Sequence, residues 1–150
     1  MDRFIPLKAQ KALLKAKIKP GSIIYIFCDF IDDPHNKYIL VNYCDKDIIL
    51  VFFINTEIHP LIDRDPNQRA CQIKLTQVKY PFLDHDSHLN CTEVIEGFDW
   101  DTIIDHLLVK GDDYKGELLK DDIVEVLVAV NSTKTISNFD KKLIMDALGN

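Results

Sequence analysis

Three short polar clusters hold most of the groups that could do chemistry. Asp84-His85-Asp86-Ser87-His88 packs two carboxylates, two imidazoles and a hydroxyl into one turn-like stretch. Its histidines stand three apart in a turn, a setting that solvates such groups more readily than it gathers them around a metal. A Ser-His hydrolase would need oxyanion donors, and no glycine stands nearby to supply exposed backbone N–H groups. Asp32-Asp33-Pro34-His35-Asn36-Lys37 is the second cluster, read as a hairpin loop; loops on a rigid sheet also carry sites, so His35 and Lys37 are candidates. Thr56-Glu57, a hydroxyl and an acid at the end of an apolar run, is the third. The five glycines are isolated, which excludes a glycine-rich phosphate loop.

The elements that must position these groups are mostly strands. Residues 22–30, 38–43 and 48–55 are heavy in Ile, Val, Phe and Tyr, which fit a pleated, half-buried surface. Turn residues separate them at hairpin distance, so they form an antiparallel meander. Pro20-Gly21 stops a preceding helix over 4–18, whose leucines share one face and whose lysines share another. Residues 58–70, with two prolines, read as a loop. Residues 71–80 and 87–95 read as two further strands, and 98–109 as a helix that Gly111 stops. Residues 121–131 read as an acid-capped helix, with a strand left open by the β-branched content. The last helix covers 138–148, with Ser137 as its N-cap. The class is α+β: a small curved antiparallel sheet closed as a barrel, with helices over one side and end. One domain is expected over 1–150, divided into a helical extension (1–19), a barrel core (20–95) and a helical C-terminal part (96–150).

Composition narrows the function classes. The net charge of −6 hides an asymmetry: residues 1–20 carry six basic side chains against one acid, a net +5, leaving 12 basic and 23 acidic groups in the rest, a net −11. A nucleic-acid site on such a body must be local, because phosphate contacts dominate affinity. Lys15 and Lys19 on the N-terminal helix are candidates for it; the plainer reading is a helix whose Leu face packs on the sheet and whose lysines are solvated. No apolar run approaches the roughly 18 residues of a membrane span, and the first residues lack the apolar core and small-residue cleavage site of a secretory signal, so none is expected. The scattered cysteines Cys28, Cys44, Cys71 and Cys91 form no Cys-x-x-Cys pair and suit buried thiols in a reducing cytoplasm. No metal or other cofactor is expected, and no membrane or DNA partner.

Three landmarks together resemble the MazF/PemK (Kid-type) toxin family of toxin–antitoxin modules. Lys19-Pro20-Gly21-Ser22-Ile23-Ile24-Tyr25 is similar to the Pro-Gly-Asp opening of that family's first strand. Lys37-Tyr38-Ile39-Leu40-Val41-Asn42 resembles its Arg-Pro strand, followed at the right distance by Phe53-Ile54-Asn55-Thr56, where the family has Thr-Ser. Asp86 to Glu93 is similar to its Arg-Cys-Asp-Gln strand, and Lys115-Gly116-Glu117-Leu118 to its Gly-x-Leu helix entry.

The resemblance implies an SH3-like barrel, a homodimer, a cognate antitoxin protein as partner, and metal-independent cleavage of single-stranded RNA. A general base would activate the ribose 2′-hydroxyl, a general acid would protonate the leaving oxygen, and a cation would steady the phosphorane. On this chain Lys37 takes the family arginine's place, Thr56 positions, and His35 or His88 moves protons; Ser87, Asn90, Lys15 and Lys19 would contact RNA. The departures lie where the chemistry should be. Tyr38 replaces the family proline, Lys37 lacks the guanidinium fork, and the family's strand arginine and aspartate fall on Asn90 and Thr92. The alternative is a non-catalytic SH3-like module that binds a protein.

Overall fold

The computed structural model describes residues 5–150. The elements follow in the order α1 (Leu7–Lys17), β1 (Ser22–Cys28), β2 (His35–Cys44), β3 (Ile49–Asn55), α2 (Pro60–Asp63), α3 (Pro66–Ala70), β4 (Gln72–Leu75), β5 (Ser87–Asn90), α4 (Trp100–Val109), β6 (Tyr114–Glu117), α5 (Lys120–Ser132) and α6 (Asn138–Leu148). Phe4, the first residue of the expected amphipathic stretch, and Arg3 of the basic segment lie outside the described residues; the helix itself starts at Leu7 after Pro6.

All six strands join one antiparallel sheet in the order β4-β5-β3-β2-β1-β6. The class is α+β, and the sheet curls into a half-barrel whose ends are β4 and β6. Gly21 makes the entry to β1 with φ of 101°, a conformation that costs glycine little. Its N–H donates to Val41 O (2.8 Å) and its carbonyl accepts from Leu118 N (2.8 Å), so one turn ties β2 to the chain leaving β6.

Helices cover both faces of the sheet, not one. Ile23, Leu40, Phe52, Ile54 and Leu89 pack under α5 and α6 through Val126, Val130 and Ile144. Ile24, Ile26, Ile39, Val41 and Val51 pack under α4 through Trp100, Ile103 and Leu107. Burial on both sides is why β1–β3 read as continuous apolar runs rather than alternating ones. Helix α1 lies beside α4 with none of its own residues fully buried. Its tethers include Lys11 to Asp105 (3.5 Å) and the ammonium groups of Lys15 and Lys17 over the Trp100 and Tyr114 rings (4.8 and 4.1 Å).

Several sequence boundaries move. Strand β2 begins at His35, so His35, Asn36 and Lys37 lie in the ladder rather than in a loop. The loop over 58–70 contains two short helices, each with proline at its first turn, capped by His59 and Asp65. Strand β4 stops at Leu75, because Gln77 N donates to Asp86 Oδ1 (2.8 Å) and Tyr80 N to Thr76 O (2.9 Å), which turns the chain. Residues 121–131 are helical, within α5. No acid caps that helix: its N-cap is Leu119, with no side-chain cap bond, and Asp121 and Asp122 fall in its first turn, where Asp122 is buried, paired with Lys79 (2.9 Å) and accepting from the Tyr80 hydroxyl. No helix of the described residues is long and apolar enough to cross a membrane. The four cysteines are free: Cys28, Cys71 and Cys91 are buried, and Cys44 is half-buried.

Candidate functional site

Antiparallel pairing decides where the site forms. Neighbouring strands run in opposite directions, so β2 begins where β3 ends and β3 ends where β5 begins. The residues at those three termini meet at one end of the sheet. They enclose a cleft of about 560 Å³. Strand β2 contributes His35, Asn36, Lys37 and Tyr38; the end of β3 contributes Asn55, Thr56 and Glu57; the turn before β5 contributes Asp84 and His85. Tyr25 from β1 and His59 at the start of α2 complete the wall.

Two of the imidazoles are fixed by backbone partners. His35 Nδ1 lies 2.5 Å from the carbonyl of Asp33. A carbonyl only accepts, so Nδ1 carries the proton and Nε2 of the neutral ring keeps a free lone pair. His59 is the reverse. Its Nδ1 accepts from Leu61 N (3.1 Å) as the N-cap of α2, so Nε2 carries the N–H. One ring presents an acceptor and the other a donor. The side chain of His85 makes no hydrogen bond among the described residues.

Lys37 is the cation of the cleft. Its ammonium donates to Asn55 Oδ1 (2.6 Å) and sits 4.6 Å from the centre of the Phe53 ring. Burial pushes its pKa below the usual lysine range, and the Cys28 thiol opposes this only in part. Tyr38 points to the other face of β2, 4.5 Å from Tyr25 between ring centres, and donates to Phe82 O (3.0 Å). Burial raises its phenol pKa, with Asp84 adding to the effect, so it is a neutral donor.

The structure brings His35, Lys37, Thr56 and Ser87 to one cleft and leaves the other candidates elsewhere. Ser87 is buried and donates to His85 O (3.1 Å), which closes the turn that presents His85. His88 lies outside the wall, opposite Asn55 on β3 and Lys74 on β4. Asn90 is a turn-builder: its Oδ1 accepts from Thr92 N (3.1 Å), Thr92 Oγ1 (2.5 Å) and Gln72 Nε2 (2.8 Å). Lys15 donates to Lys46 O (2.7 Å) and Lys19 pairs with Glu117 (3.0 Å), so both tether the region around α1 and neither lines the cleft.

Sequence reasoning missed His59 and the Tyr25–Tyr38 pair. The signal for His59 was its place directly before Pro60, the N-cap and N1 positions of a helix. Among the described residues, no three His, Cys, Asp or Glu side chains are grouped so as to hold a metal ion. No protein-family model, no curated protein and no solved structure matches this chain.

Proposed function

We propose that the cleft binds single-stranded RNA and cleaves it without a metal, as a MazF/PemK-like toxin of a toxin–antitoxin module does. The observation that carries this reading is the pairing of a lone-pair imidazole, His35, with the partly desolvated Lys37 ammonium on one concave wall. His35 Nε2 takes the proton of a ribose 2′-hydroxyl, and O2′ then attacks the adjacent phosphorus. Protonated His85 gives its proton to the departing 5′-oxygen. Lys37 and the His59 Nε2–H face the charge that builds on the phosphoryl oxygens. The products are a 2′,3′-cyclic phosphate and a 5′-hydroxyl. An SH3-like closure of the half-barrel, a homodimer and an antitoxin partner belong to the same proposal.

The test is incubation of the protein with single-stranded RNA in excess chelator across pH 5 to 8, where imidazoles change charge. Cyclic-phosphate ends are expected, and an all-deoxy strand should stay intact. Sedimentation at micromolar concentration should show a species of twice 17.3 kDa; a monomer alone counts against the dimer. A second reading, a protein-binding module without catalysis, has its own support. The Lys37 ammonium already has partners, and among the described residues no hydrogen bond joins two titratable side chains of the cleft. Wild-type protein that cleaves nothing decides for that reading.

A further inference from the structure

The ladder register lines up four polar side chains across the sheet. Tyr38 pairs with Ile54, which sets Lys37 opposite Asn55. Asn55 pairs with His88, and His88 with Lys74 on the end strand. Residues opposite one another across a ladder share a face, so one row runs over β2, β3, β5 and β4. Lys37 and Asn55 also line the cleft; His88 and Lys74 carry the row beyond it.

The row differs in charge from the acidic body that carries it. Two lysines and an imidazole stand together on a body whose net charge over residues 21–150 is −11. Asp86 lies 3.8 Å from Lys74 and is also held by the backbone N–H of Gln77, and the cleft that Lys37 lines carries Glu57 and Asp84 as well. Burial lowers the pKa of His88, Lys74 lowers it further, and Asp86 only partly offsets this. Burial lowers the pKa of Lys37 as well. Lys37 and His88 stand at half-buried positions, where positive charge costs the free protein stability that a bound anion would restore, while Lys74 is exposed and open to a phosphate.

We propose that Lys37, Asn55, His88 and Lys74 form a track for the phosphodiester backbone of single-stranded RNA, leading from the cleft to the end strand. The inference rests on the RNA reading above and extends it. The cleft holds the reacting phosphate, while His88 and Lys74 hold phosphates further along the strand. His88, outside the cleft wall, is then a backbone contact and not a proton-transfer group.

Binding separates this track from catalysis. The probe is a short 2′-O-methyl oligouridine, which has no free 2′-hydroxyl and stays intact. Its affinity is measured by fluorescence anisotropy against KCl concentration, and His88 is titrated by NMR with and without it. Each phosphate contact contributes about 0.7 to the slope of log affinity against log salt for a single strand. Lys74→Ala should lower the slope by about that amount, and Lys142→Ala, on an exposed face of α6, should not. Oligonucleotide should raise the pKa of His88. An unchanged slope in Lys74→Ala, or a His88 titration that the oligonucleotide does not move, overturns the track. So does an equal shift with inorganic phosphate at matched concentration, since the site then takes a free anion. Wild-type protein that binds with the expected slopes but leaves unmodified RNA intact refutes the cleavage reading and keeps the track.

Discussion

Two polar constellations sit on this sheet, and they are built in opposite ways. In the first, Asp122, in the first turn of α5, is buried and every partner is in place: Lys79 pairs with it (2.9 Å), the Tyr80 hydroxyl donates to it, and Leu119 N donates to the Tyr80 oxygen (3.0 Å). Burial and the bond to Asp122 push the Tyr80 phenol far up, so it stays a donor. In the second, the cleft, His35 and His59 are anchored at one nitrogen and leave the other free, and Glu57 and Asp84 have no ion-pair partner among the described residues. A closed network is spent on holding the chain. An open one has capacity left for a ligand. Side-chain chemistry alone does not tell the two apart, since both use carboxylates, aromatics and a lysine; the count of unused donors and acceptors does.

Substitutions should separate the two regions by what they change. The largest effect falls on the cleft. Lys37→Ala should lower RNA cleavage by about 10²–10³-fold, the usual loss for one preorganised charge-stabilising group. Its melting temperature should hardly move. Lys37→Arg should keep or raise activity, since it restores a forked cation. Lys37→Ala that cleaves like wild type would remove Lys37 from the reaction.

Next comes the closed network. Tyr80→Phe leaves Asp122 short of a donor and Leu119 N–H without its acceptor, and should cost about 1–3 kcal/mol of stability in denaturant unfolding. Cleavage per folded molecule should not change. A stable Tyr80→Phe protein would show that the network is not what holds α5 to the sheet.

The smallest effect lies between the two regions, at His88. Its folded pKa is below the ordinary value near 6.5, so the unfolded chain binds the proton more tightly. Stability should therefore be full above the unfolded value and fall as pH drops through it, levelling off below the folded one. His88→Gln should flatten that part of the curve between pH 7 and 5. An identical slope in the variant would mean that other groups set the acid sensitivity.

The sheet was legible because its signal is redundant. Each of β1–β3 is a run of β-branched and aromatic residues bounded by turn residues; their half-buried reading, with helices over one side and end, missed the second covering layer that α4 supplies. The short elements were not. Strand β6 is Tyr-Lys-Gly-Glu, a half-exposed end strand with Gly116 at φ of 116°, and nothing in its composition says strand. Val78 fitted the alternation of a longer β4, yet it is 91% exposed, because a side chain–backbone bond from Asp86 turned the chain before it. In the cleft, His35, Lys37 and Thr56 were readable because strand termini congregate in an antiparallel meander. His59 was not, since its place depends on how the crossing from β3 to β4 folds. Lys15 and Lys19 read as a basic patch, but Trp100, Glu117 and the carbonyl of Lys46 occupy them.

The sheet's order of assembly has a consequence for synthesis. The long apolar strands β1, β2 and β3 follow α1 off the ribosome, and their pairing needs only short hairpin connections. The strand that covers the outer edge of β1 is β6, and it arrives only with residues 114–117. Until then a nascent chain leaves Ser22–Ile24 of that edge unpaired, at the start of the run Ser-Ile-Ile-Tyr-Ile-Phe-Cys, the kind of segment that templates aggregation. A four-residue strand of ordinary appearance thus guards the first three residues of that edge, and a chain truncated before Tyr114 leaves them bare.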